Sequence, residues 1–238
     1  MTGAELKAAR LEAGWTQAHL AGRLGVTQAY LSLMEAGKRR MPDQVRRRVA
    51  SVLRLPPTCL PLSVPRALDR VTTDAKLEQG LARLGYPHLK YRRKPGERQN
   101  PAELLLMGLA TDELDPRLAE GLPWLLLKFD GYDTEGLVSR AKSLDLQNRL
   151  GFTVALACRV ADRNPAFRGR RDELEKLEET LEQSRLARED TYGTSKMSTR
   201  MREWLKSNRS PEAEHWNLLS DLKPEHLPYV QPNPRTMA

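Results

Sequence analysis

Leucines and other apolar residues recur at three- and four-residue spacing through most of the chain. No stretch alternates apolar and polar positions with the period of two that a half-buried strand requires. The pattern predicts an all-α protein. Residues 1–55 divide into four to five short helices with capping residues at their starts. Thr2 and Glu5 have the spacing of a capping box, in which hydroxyl and carboxylate reciprocally satisfy orphan amides. Leu6 and Leu11 are the expected buried side of this first helix, and Gly14 its stop. Thr16 is placed to cap a second helix whose Leu20 and Leu24 share one face. Gly25 allows a turn, and Thr27 caps a third helix carrying Leu31 and Met34, which Gly37 ends. Pro42 suits the start of a fourth helix, with Val45, Val49 and Val52 as its inner face.

Pro56, Pro57, Pro61 and Pro65 then exclude helix and predict a linker or extended brace over residues 56–66. Beyond it a larger helical domain, residues 67–230, is expected. Its helices fall near 67–84, 101–110, 115–128, 134–144, 145–163, 170–190 and 196–208. Leu146, Leu150, Val154, Ala157 and Val160 mark the helix through 145–163 as the buried centre. The thin stripe of Leu174, Leu177 and Leu181 admits two readings, a short coiled-coil seam or a helix packed on its own domain. The second is favoured because too few heptads are present. Residues 231–238 read as a disordered tail.

Composition narrows the function. With 39% hydrophobic and 29% charged residues the chain can build a core, which excludes wholesale disorder. No apolar run reaches the roughly 18–20 residues of a membrane span. The first residues lack the layout of a signal peptide, so a cytoplasmic protein is expected. Cys59 and Cys158 cannot frame a disulfide scaffold, and His19, His88, His215 and His226 show no ligand spacing; no metal or cofactor is expected. The net charge is +8, and residues 1–64 hold most of it, with ten Lys and Arg against four acids. A basic field concentrated on a small module favours a polyanionic partner.

Residues 16–39 carry the informative motif. Thr16, Gln17, Leu20, Ala21, Leu24, Gly25, Val26, Thr27, Gln28, Tyr30, Leu31, Ser32, Glu35, Gly37 and Lys38 together resemble the Cro/C1-type (XRE) helix-turn-helix, over about residues 3–55. The resemblance implies a DNA-binding regulator whose third helix enters the major groove. Thr27, Gln28, Ala29, Ser32 and Leu33 are then the base-contacting candidates. Gln28 has the amide geometry to bond adenine N6 and N7 together. Ala29 and Leu33 stand where relatives often carry polar readers. Each suits a thymine methyl group, and Leu33 equally suits a place partly in the core; direct readout is then sparse and DNA shape contributes more. The phosphate-contacting candidates are Gln17, Tyr30, Lys38, Arg39 and Arg40, with Gln17 placed by the family's phosphate clamp. Arg46, Arg47 and Arg48 point in different directions on one helix and are not assigned. The implied partner is double-stranded DNA with a palindromic operator, bound by a homodimer that the helical domain holds.

Residues 66–238 show no phosphate-binding glycine loop, metalloprotease motif or nucleophile elbow, so no catalytic residue is assigned and an enzyme is not expected. Glu173, Glu175, Glu178, Glu179 and Glu182 read as a solvated helix face. Tyr86 to Lys94 reads as a basic loop with two aromatics. The stretch from Pro101 through Arg159 resembles the helical domain of regulators encoded beside nucleotidyltransferase-type toxins of abortive-infection systems. That resemblance implies an autoregulating antitoxin with a toxin protein as partner. Asp112, Glu113 and Asp115, or the glutamate face, are its candidate docking surfaces. Two alternatives stay open: a ligand-sensing regulator with a pocket in the helical domain, and a nucleic-acid enzyme tethered to DNA by the N-terminal module.

Overall fold

A computed structural model describes residues 1–62, 74–92 and 95–231, which fall into two compact units, Met1–Ser63 and Val64–Ala238. Four parts of the expected elements lie outside the described residues: 63–66 of the linker, 67–73 of the helix over 67–84, Arg93 and Lys94, and 232–238 of the tail. The protein is all-α, with one short strand pair among the described residues.

In the first unit the helices are α1 (Gly3–Glu12), α2 (Gln17–Leu24), α3 (Gln28–Glu35) and α4 (Asp43–Val52). All three threonine caps are made: Glu5 N–H donates to Thr2 Oγ1 at 3.2 Å, His19 N–H to Thr16 at 3.1 Å and Tyr30 N–H to Thr27 at 3.2 Å. Thr2 N–H returns a bond to Glu5 Oε2 at 2.7 Å and completes the capping box. Gly25 takes φ +69° between α2 and α3, a left-handed conformation that a Cβ would strain. The core contains Leu6, Leu20, Leu24, Leu31, Met34, Met41 and Val49, each nearly inaccessible, with Val45 and Val52 half-buried against it. Leu11 departs from expectation and is 57% exposed. Five residues from Leu6 is about 140° around the helix, so the inner position belongs to Arg10, four residues on. Pro57 and Pro61 of the expected linker do not run free of the unit. Pro57–Cys59 form a 3-10 turn packed on α4, and Pro57, Thr58 and Pro61 are buried.

The second unit is arranged around α10 (Gln147–Arg163), following α5 (Asp74–Leu84), α6 (Pro101–Leu109), α7 (Pro116–Ala119), α8 (Gly121–Lys128) and α9 (Thr134–Ser143). After it come α11 (Arg171–Glu182), α12 (Thr199–Asn208) and α13 (Pro211–His215). Leu150, Phe152, Val154, Leu156, Ala157 and Val160 of α10 are wholly buried, with α8 on one side and α11 on another. Leu174, Leu177 and Leu181 of α11 are buried against α10, so the stripe is intramolecular and not a coiled-coil seam. Trp216 packs against Gly151 of α10, where a Cβ would sit 2.4 Å from its ring.

Two departures have clear causes. The helix expected over 115–128 divides at Glu120, because Pro123 has no N–H to offer the Ala119 carbonyl one turn back. The helix expected to reach residue 190 ends at Glu182. Beyond it, Asn148 captures the Leu186 backbone through both amide groups, at 2.9 and 2.8 Å, and Arg149 grips Asp190 in a bidentate pair at 2.8 Å. These contacts draw the chain into β1 (Asp190–Thr191), parallel to β2 (Leu218–Leu219).

Candidate nucleic-acid interface

The α2–turn–α3 segment divides its side chains cleanly. Leu31, Met34 and Glu35 of α3 face inward, while Thr27, Gln28, Ala29, Ser32 and Leu33 are exposed on the opposite side. All five base-contacting candidates therefore share one open surface. Leu33 is 41% exposed, which removes it from the core. Thr27 spends its hydroxyl as an acceptor on the Tyr30 amide, yet the residue is exposed and its hydroxyl hydrogen stays available.

The phosphate candidates gather at the edges of this surface. Lys38, Arg39 and Arg40 follow Gly37 on exposed backbone, and the Arg39 guanidinium stacks 4.7 Å from the Tyr30 ring centroid. That stacking holds a cation beside the recognition surface without neutralising it. Gln17 is half-buried and differs from the simple clamp: its Nε2 donates to Glu35 Oε2 at 2.9 Å. The second amide hydrogen and the carbonyl oxygen remain for an outside partner. Arg48 belongs to the architecture, donating from Nη1 to the Leu24 carbonyl at the end of α2 at 3.1 Å.

Beneath the surface lies a feature that the charge count alone conceals. Arg10 of α1 and Glu35 of α3 form a buried bidentate pair, Nε to Oε1 at 2.6 Å and Nη2 to Oε2 at 3.0 Å. Arg10 Nη1 also donates to the Trp15 carbonyl at 2.7 Å. The Arg10 pKa is raised above its ordinary value by the Glu35 hydrogen bond and charge, against the opposing effect of burial. Burial by itself pushes the Glu35 carboxyl up. The hydrogen bonds from Arg10 and Gln17, with the charges of Arg10 and Lys7, outweigh it and hold the carboxyl below the usual range. The signal was present in the sequence: Arg10 follows Leu6 and Glu35 follows Leu31 by four residues, so opposite charges occupy two core-facing positions.

Residues 2–61 match a family model described as a helix-turn-helix domain. This part of the chain forms a helix-turn-helix DNA-binding domain. No curated protein and no solved structure matches the chain. The helix-turn-helix domain accounts for the exposed side of α3 and the basic residues that flank it, and makes the chain a DNA-binding regulator.

The second unit holds no group of His, Cys, Asp or Glu able to bind a metal among the described residues. No helix among them is long and apolar enough to cross a membrane. Its acidic candidates are largely engaged. Glu113 accepts from Ser195 N–H at 3.0 Å, Ser195 Oγ at 2.8 Å and Lys196 N–H at 2.7 Å, bonds that hold its carboxyl below the ordinary value. Asp115 caps α7 through the Arg117 amide at 2.8 Å. On the glutamate face Glu173 pairs with Arg170 at 2.5 Å, Glu175 with Arg171 at 3.4 Å and Glu182 with Arg185 at 3.2 Å. Tyr86, expected on a basic loop, is buried among Trp124 and Tyr229; its neighbour in that expectation, Tyr91, is exposed. A cleft of about 330 Å³ opens between α11 and the segment after α8, but its Tyr132 hydroxyl donates to the Leu125 carbonyl and its Arg170 is held by Glu173.

Proposed function

We propose that the chain is a sequence-specific transcriptional repressor of the Cro/C1 type that binds a palindromic operator as a homodimer. The observation that carries this reading is the open side of α3, with Thr27, Gln28, Ala29, Ser32 and Leu33 outward and Lys38 to Arg40 at its edge. Such a helix lies in the major groove with its N-terminal residues at base edges, while the flanking cations meet phosphate. The protein acts where the DNA is, in the cytoplasm. The resemblance over Pro101 to Arg159 supports a further role for the second unit, as the part of an autoregulating antitoxin that docks a toxin. Because Glu113 and Asp115 are committed within the fold, exposed Glu179 and its neighbours on α11 are the better acidic surface for such docking.

Binding to randomised duplexes, followed by two substitutions, tests the repressor reading. Gln28→Ala is expected to cost about 1–3 kcal/mol on the selected site and to relax preference at one base pair. Arg40→Ala is expected to weaken all sequences alike and to flatten the salt dependence by about one unit. Arg40 is the cleaner choice because Arg39 also stacks on Tyr30. Equal, sequence-independent losses in both variants would overturn the placement of α3. Co-expression with the neighbouring open reading frame tests the antitoxin role, and a harmless neighbour would end it.

A further inference from the structure

Few large apolar side chains are exposed among the described residues, and two of them, Met201 at 44% and Trp204 at 48%, sit one turn apart on α12. This helix is docked by its other side. Leu205 is buried, while Arg202 and Lys206 both hold Glu189, at 2.5 and 3.5 Å. At about 100° per residue, Arg200, Met201, Glu203, Trp204 and Ser207 occupy the outward side together. Arg200 and Glu203 are exposed and take no ion pair among the described residues. The face therefore holds an apolar pair, one free cation and one free anion. A two-fold axis requires a surface to complement itself, and this composition does so.

We propose that the outer face of α12 is the contact between two copies of the chain, paired antiparallel so that Met201 packs on the partner's Trp204 and Arg200 meets the partner's Glu203. The register is consistent. With Met201 level with the partner's Trp204, Arg200 and the partner's Glu203 are offset by about 3 Å along the helix axis, well within the reach of an arginine. The thioether-on-indole contact is favourable, and each charge gains a partner on the same flank. The magnitude also fixes how strong the contact is. A ten-residue helix is about 15 Å long and buries far less than the roughly 800 Å² per partner of a stable dimer. The copies separate in dilute solution and associate when DNA holds them at high effective concentration. In that respect the inference rests on the DNA-binding reading, and it supplies what joins the two reading heads.

The test uses the full chain in two measurements. Sedimentation velocity up to millimolar concentration is expected to show a weak dimer that Trp204→Glu abolishes. Arg200→Glu and Glu203→Arg each weaken the dimer, and the double reversal restores it, a rescue that damage to the fold would not show. On the selected operator, the wild type is expected to fill two half-sites cooperatively. Trp204→Glu loses roughly 5- to 150-fold in affinity for the paired site and nothing for a single half-site. A protein that stays monomeric at all concentrations, or charge reversals that fail to compensate, would overturn the proposal. An equal loss on the single half-site would place α12 against DNA and overturn it too. Absence of specific DNA binding by the wild type would refute the repressor reading alone, leaving sedimentation to judge the seam.

Discussion

Replacing Glu35 by alanine should strip the helix-turn-helix domain of most of its stability while leaving the second unit folded. The substitution removes both guanidinium–carboxylate bonds, at 2.6 and 3.0 Å, and the Gln17 bond at 2.9 Å. It strands the Arg10 guanidinium, which is only 5% exposed, with the Trp15 carbonyl as its remaining acceptor. Breaking a buried ion pair from one side costs about 3–5 kcal/mol. A domain of this size, at roughly 0.05–0.15 kcal/mol per residue, holds about 3–9 kcal/mol in total. The loss therefore takes most of its stability. Hydrogen exchange of the full chain, read peptide by peptide, would show collapsed protection in α1 to α4. Protection in α6, α8 and α10 would be unchanged, because the two units have separate cores. Replacing both partners at once, Arg10→Met with Glu35→Leu, removes the buried charge altogether. That variant should match or exceed the wild type. A Glu35→Ala cost below about 1 kcal/mol, against the 3–5 expected for a buried pair, would refute the reasoning. So would a double variant as unstable as the single one.

The same pair predicts acid sensitivity. The Glu35 carboxyl titrates below its ordinary value of 4.5 in the folded state, so its contribution is complete above that pH and is lost as pH falls through the folded value. Urea midpoints of the first unit should drop through this range, and Glu35→Gln should flatten the curve; an unchanged slope would count against the assignment. In the second unit, Gly151→Ala drives a methyl group into the Trp216 ring, since a Cβ there lies 2.4 Å from it. Trp216 is fully buried, and the expected cost is about 1–3 kcal/mol. Thermal unfolding followed by circular dichroism checks this, and a wild-type transition temperature would show that α10 shifts to make room.

Local chemistry was the most legible part of this chain. Thr2, Thr16 and Thr27 each stand where a side-chain oxygen meets an orphan amide, a signal that needs no knowledge of the rest of the fold. The outward set of α3 was legible for a related reason, because Leu31 and Met34 fix which side is inward. What escaped depends on contacts distant in sequence. Arg10 and Glu35 are 25 residues apart, and a count of charges treats both as surface. Gln17 was assigned to phosphate without its bond to Glu35, which only the packing of α2 on α3 produces. Residues 183–190 read as a continuation of the helix, and Asn148 and Arg149, about 40 positions earlier, override it. Likewise Leu11 satisfied composition but not angular position, and Arg10 took its place.

Leu33, left without a core partner on the recognition surface, has a consequence for how this domain would respond to chemically marked DNA. An apolar side chain senses a methyl group in the major groove and draws nothing from the hydrogen-bonding edge beside it. Thymine carries that methyl at C5, and so does cytosine once it has been methylated at the same carbon. On the proposed docking, a base pair facing Leu33 would be read by the presence of the methyl group more than by the identity of the base. Enzymatic methylation of an operator cytosine at that position would then mimic a change of sequence, and a reversible mark would tune binding without altering a letter of the site.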